Sequence, residues 1–157
     1  MPKYSGKKRY TYRGRDKYSV EQTLFQLQPQ PSTTTVVTIV PATTTQGMRK
    51  VKHLTINAAV STTASTDAFL WALFYLPEGV TAPAFQSASG GPLVEPNQFV
   101  MNCGVFDATA GPLRIASRVS RNLNSGDSIV LLVRPISSTT QANPVFTGMV
   151  RYAITLQ

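Results

Sequence analysis

Residues 145–156 read VFTGMVRYAITL, and this run decides the fold class. Phe146, Val150, Tyr152, Ile154 and Leu156 share one parity, while Thr147, Arg151 and Thr155 share the other. Successive side chains of extended backbone point to opposite faces. A period of two therefore marks a strand with one face in a core and one in solvent. A helix would need apolar residues three and four apart, and no stretch of ten residues or more has that spacing.

Upstream lie seven further runs rich in Val, Ile, Thr, Phe and Tyr: 19–27, 33–41, 49–60, 69–76, 98–106, 113–121 and 127–134. In 113–121, Leu113, Ile115 and Val119 alternate with Arg114, Ala116 and Arg118. The runs 69–76 (FLWALFYL) and 127–134 (DSIVLLVR) are apolar on both faces. They belong at the centre of a sheet or against a neighbouring copy. In 49–60, Val51 falls opposite Leu54, Ile56 and Val60. That is the parity break of a β-bulge or of a strand running past the core edge. Cys103 alternates with Phe99, Met101 and Val105, which predicts a small buried hydrophobe.

Ser/Thr clusters at 43–45, 61–66 and 137–140 read as loops. Asn124-Ser125-Gly126-Asp127 reads as a tight hairpin in which Gly126 takes a positive φ. The longest irregular segment is 77–97, with four prolines and three glycines. Eight short strands predict an all-β protein: a single eight-stranded antiparallel jelly roll, a two-sheet sandwich, over residues 19–157. The alternative is an immunoglobulin-like sandwich, which lacks support because its Cys–Trp–Cys spacing is absent.

The 157 residues suffice for one domain with a real core. Only 14% are charged, against about a quarter in an ordinary soluble protein. So few charges suggest that copies of the chain cover much of its surface. The N-terminus is basic and aromatic without the apolar centre of a signal peptide. The longest apolar run, Ala68 to Leu76, is too short for a membrane helix. The expectation is a soluble protein, intracellular when made, with no membrane contact.

Catalytic groupings are missing. Asp16, Glu21, Asp67, Glu78, Glu95, Asp107 and Asp127 are dispersed, so no carboxylate pair is offered for metal or glycosidic work. One cysteine, Cys103, and one histidine, His53, cannot build the usual zinc site. His53 reads as a surface residue beside Lys52 rather than a general base. Gly90-Gly91 is followed by Pro92, so no phosphate loop forms there. The chain is expected to be no enzyme and to need no cofactor or metal.

Charge placement is more informative. Residues 1–18, MPKYSGKKRYTYRGRDKY, hold Lys3, Lys7, Lys8, Arg9, Arg13, Arg15 and Lys17 against Asp16 alone. Seven cations less one acid supply six of the eight net positive charges. The remainder of the chain is nearly neutral. This predicts a basic arm, 1–18, attached to the folded body and matched to a polyanion. Tyr4, Tyr10, Tyr12 and Tyr18 interleave with the cations. Tyrosine rings stack on unpaired bases, which a duplex does not present, so the mixture favours single strands. A merely solubilising tail is the plainer alternative. KKRYTYRGR, 7–15, also has the composition of a nuclear import signal, which makes the host import machinery a candidate partner. Arg49, Lys50 and Lys52 form a second basic cluster. It either extends the nucleic-acid surface or protects a solvated edge strand.

Five blocks carry a family resemblance: MRKVKHLTI at 48–56, WALFYLPEG at 71–79, EPNQFVMNCGV at 95–105, SRNLNSGDSIVLLVR at 120–134 and GMVRYAITL at 148–156. In this order, behind a basic arm, they resemble the capsid proteins of small circular single-stranded DNA viruses that encode a replication-initiator protein. The resemblance spans most of residues 30–157. It implies a jelly roll, a non-enveloped icosahedral shell of about 60 copies, and an arm pointing inward to a single-stranded DNA genome. It implies a virion location, assembly in the host nucleus, and residues 49–52 on the interior-facing sheet. The arm is shorter and less arginine-rich than in many relatives. Two other functions stand beside this one. The first is a non-viral single-strand-binding module for DNA or RNA. The second is a secreted lectin-like ligand, for which loop 77–97 would be the contact surface; in a shell the same loop would line the outside or a symmetry axis, and a cell-surface receptor is a candidate partner.

Overall fold

The computed structural model describes residues 18–61, 68–86, 91–136 and 144–156. Residues 1–17 of the arm and most of the expected loops at 61–66 and 137–140 lie outside the described residues. Among those described, nine strands form: β1 (Ser19–Leu27), β2 (Thr35–Val40), β3 (Arg49–Ser61), β4 (Ala68–Leu76), β5 (Val100–Asp107), β6 (Leu113–Ser117), β7 (Arg121–Leu123), β8 (Ser128–Pro135) and β9 (Val145–Leu156).

Two antiparallel sheets stack. One runs β1-β9-β3-β6, with β7 also paired to β3; the other runs β2-β8-β4-β5. The first strand lies beside the last, and the second beside the last but one. This is the jelly-roll arrangement, in which a folded-over chain wraps around its own core.

The expected run 113–121 breaks into β6 and β7, and the cause lies in β3. His53 has a φ of 54°, and the ladder to β9 slips between Lys52 and Thr55. Residues 118–120 leave the ladder opposite this bulge, then β7 pairs again with Arg49–Val51. The bulge also turns both Val51 and Leu54 inward, each 1% exposed. It resolves the parity break seen in the sequence.

The turn at Asn124–Asp127 is present, with Gly126 at φ 83° and the Asp127 amide donating to the Asn124 carbonyl at 3.2 Å. It is not a hairpin. β7 belongs to one sheet and β8 to the other, so the turn carries the chain between layers.

The main core fills the space between sheets. Phe69, Phe106 and Phe146 meet there, with Phe146 edge-on to Phe69 at 4.8 Å between ring centres. A second cluster lies on the outer face of the four-stranded sheet, where Ala72, Phe74, Val130 and Leu132 meet Phe85 and Val94. The segment after β4 thus folds back over that sheet. Two hydrogen bonds pin it, Phe85 N–H to Thr34 Oγ1 at 2.9 Å and Arg134 Nη1 to the Phe85 carbonyl at 3.2 Å, and a third, Gln86 N–H to the Leu93 carbonyl at 3.0 Å, lies within the segment. β4 and β8 are central and apolar on both faces, and the chain's own segment covers them.

Cys103 departs from expectation, for it is exposed. Phe106 pairs with Phe69 and Gly104 with Trp71, so positions 104 and 106 face the core; before the register shift the parity reverses, and Met101 packs against that core. A Cβ on Gly104 would come within 2.9 Å of the Trp71 ring. The core position is therefore a glycine, and the residues flanking it, Cys103 and Val105, turn outward.

Candidate nucleic-acid interface

The outer face of the five-stranded sheet follows from strand parity. In β9 the even residues Phe146, Val150 and Tyr152 are buried and Thr147, Met149 and Arg151 point out. In β1, Phe25 and Leu27 face in, leaving Val20, Gln22 and Leu24 outward. Beyond its bulge, β3 presents Thr55 and Asn57, and β6 presents Arg114 and Ala116. Before the bulge the parity reverses, and Lys50 and Lys52 point outward.

The cluster 49–52 is consequently divided. Arg49 is 8% exposed. Its Nη2 donates to the carbonyls of Pro41 at 3.1 Å and Asp127 at 3.2 Å. Alternation with Val51 turns it inward, so its guanidinium ties the β2–β3 connection to the β7–β8 turn. Lys50 and Lys52 share the outer face without it.

Asp127 is the other half of this corner. Its carboxylate accepts from the Tyr75 hydroxyl at 2.6 Å and from the amides of Asn124 at 2.8 Å and Glu78 at 3.1 Å. Burial works against the carboxylate, but the hydrogen bonds from Tyr75, Asn124 and Glu78 outweigh it, and its pKa lies below the usual value. Burial, with help from the neighbouring carboxylate, pushes Tyr75 up to about 12. The Arg121 guanidinium lies 4.2 Å from the centre of the Tyr75 ring. Next to that stack, Lys50, Ser120, Arg121 and Asn122 line a hollow of about 360 Å³.

Tyr18, the one arm residue described, lies with the Lys52 ammonium 4.8 Å over its ring. The arm therefore joins the body on the face that carries Lys50 and Lys52. Arg114 and Arg151 are exposed on the same sheet, and Arg118 is exposed in the link between β6 and β7. The described acids lie elsewhere. Glu21 shares the inward parity of Phe25 and raises the pKa of Tyr152 after burial does. Asp127 is buried. Glu78 follows β4, while Glu95 and Asp107 flank β5. The sequence had placed Arg114 and Arg151 on polar faces; it gave no sign that two different strands bring them to one surface. Lys3, Tyr4, Lys7, Lys8, Arg9, Tyr10, Tyr12, Arg13, Arg15 and Lys17 lie outside the described residues.

Such a face can hold a polyanion by ion pairing, with tyrosine available for stacking. Among the described residues no three or more His, Cys, Asp or Glu side chains gather to hold a metal. No helix there is long and apolar enough to cross a membrane.

No protein-family model matches the chain, and no curated protein matches it in sequence. Solved structures resemble it distantly. A chain of Desmodium yellow mottle tymovirus has 13% identity and a TM-score of 0.42, over 99% of this chain and 91% of that one. A chain of infectious bursal disease virus, Gt strain, has 7% identity and a TM-score of 0.41, over 92% of this chain. This protein spans about a third (34%) of that second chain. Likenesses this distant leave the functional argument to the chain's own residues.

Proposed function

We propose that the protein is a viral coat protein: a jelly roll that assembles with copies of itself into a small icosahedral shell and holds single-stranded DNA through its basic arm and one sheet face. The observation that carries this reading is the Tyr18–Lys52 contact. It joins a stretch with seven cations to a sheet face on which the described residues include the exposed Arg114 and Arg151, so arm and wall act on the same polyanion. A body with few charges, and with Leu24 at 76% and Val105 at 63% exposed, suits a surface that other copies cover. About 60 copies form the smallest such shell. The family resemblance supplies the lean to DNA, to a virion and to nuclear assembly, with 7–15 as the import signal.

Electron microscopy of the purified full-length protein tests the reading. Uniform small shells are expected, and the protein lacking residues 1–17 should still self-associate while losing nucleic acid. A monodisperse 17.0 kDa monomer at every salt concentration contradicts it. That outcome together with retained single-strand binding would favour the second reading, a non-viral binding module, which the Tyr/Lys/Arg arm alone supports.

A further inference from the structure

The sheet face contains more than the lysines beside the arm. Thr155, Ala153, Arg151 and Met149 share one parity of β9; Arg151 and Met149 are exposed, Ala153 is half-buried and Thr155 is buried. Lys50 stands level with Thr155, Lys52 with Ala153, and Thr55 with Arg151. Asn57 stands level with Met149 on one side and Arg114 on the other. Cations thus occur at four successive levels: Lys50, Lys52, Arg151, Arg114. Each level is two residues on along the strands, about 6.7 Å, and the cations are also spread sideways over β3, β9 and β6, with Arg151 and Arg114 two strand spacings, about 9.6 Å, apart across the sheet. An unstacked single strand can follow such a spread.

At the far end of this track, Gln22, Thr55, Asn57, Arg114, Met149 and Arg151 line a hollow of about 300 Å³. Arg114 and Arg151 make no ion pair or hydrogen bond among the described residues, and both are exposed. Two unpaired guanidiniums beside two amides and a hydroxyl make a donor-rich seat for a tetrahedral anion. We infer that Arg114 and Arg151 bind a phosphodiester of single-stranded nucleic acid, as the last positions of a track that begins at Lys50 beside the arm. This rests on the coat-protein reading and adds a site to it. The exposed carboxylates Glu21, Glu78, Glu95 and Asp107 are scattered single charges. Several cations gathered on one face call instead for several linked anions, so a nucleic acid fits better than a single acidic side chain of a second copy.

The test is binding of a fluorescein-labelled oligothymidylate to the full-length protein across a salt series. Replacing both residues, R114Q with R151Q, should lower the slope of log K against log salt by about 1.4, from ~0.7 per lost single-strand contact. Each single variant should lower it by about 0.7, which keeps the test open if the double variant folds poorly. R114K with R151K should restore the slope, since charge is kept. An unchanged slope in R114Q/R151Q, with wild-type binding and shells intact, overturns the site and leaves the coat reading standing. An unchanged slope with lost assembly assigns the hollow to a neighbouring copy and also overturns it. Failure of the unaltered protein to bind the probe or form shells removes both.

Discussion

The two sheets of the sandwich treat their outer faces in opposite ways. The four-stranded sheet turns Leu70, Ala72, Phe74 and Leu76 of β4 and Val130 and Leu132 of β8 outward, and the segment carrying Phe85, Leu93 and Val94 seals them. The five-stranded sheet turns Gln22, Leu24, Asn57, Arg114 and Arg151 outward and leaves them open. An apolar outer face does not by itself call for a second copy, because one chain can cover its own. Partners must be sought on the open face and along β5, where Cys103 and Val105 stay uncovered. The open face is also the one on which the arm begins.

The largest expected effect breaks the sealed side. Phe74→Ala removes a ring with no exposure and should cost about 3–5 kcal/mol in urea unfolding. Leu24→Ala on the open face should change stability by no more than about 0.5 kcal/mol. Equal costs would mean that the two faces are not different in kind.

The corner that joins the sheets comes next. Asp127→Ala strands the Tyr75 hydroxyl and two amides, and should cost about 3 kcal/mol. Its pH signature has a definite sign. The folded pKa of Asp127 is depressed, so its contribution is present above the unfolded value of about 3.9 and is lost as pH falls through the folded value. Tyr75 is raised to about 12, so its contribution is present below the unfolded value of about 10 and is lost as pH rises toward 12. Melting temperature against pH should fall at both ends; Asp127→Ala should flatten the acid end and only lessen the alkaline fall, because burial of Tyr75 remains. An unchanged profile would show that the corner does not couple the sheets.

Gly104→Ala sharpens the account of β5. Its new methyl would meet the Trp71 ring, and overpacking should cost roughly 1–3 kcal/mol by thermal unfolding. A neutral result would mean that Cys103 faces out for some other reason. Smallest of all, R114Q/R151Q should leave stability within about 0.5 kcal/mol, since both residues are exposed.

Alternation made much of this legible. The runs 19–27 and 145–156 match β1 and β9 at both ends; in β9 most large apolar residues, Phe146, Val150, Tyr152 and Ile154, have one parity, while Val20 and Leu24 of β1 and Met149 of β9 break it. β4 and β8 were recognisable as central from two apolar faces. Three features were hidden, each for a physical reason. The seal over the outer face depends on Phe85 and Val94, isolated apolar residues in a proline-rich stretch with no period. In β5 a core glycine beneath Trp71 left Cys103 and its neighbours looking like the buried face. Arg49 looked like a partner of Lys50 and Lys52, yet Val51 had already marked its parity as inward. The open cationic face was half legible. Arg114 and Arg151 were on polar sides of their strands, but only the β3 pairing makes them neighbours. The arm was read from charge alone, and only Tyr18 ties it to the body.

Nuclease digestion of the nucleic acid that copurifies with the full-length protein tests the central claim most directly. The account predicts single-stranded DNA that resists nuclease in intact particles, and is degraded by DNase but not RNase once they are opened. Particles that carry no nucleic acid, or material digested equally before and after opening, would contradict it.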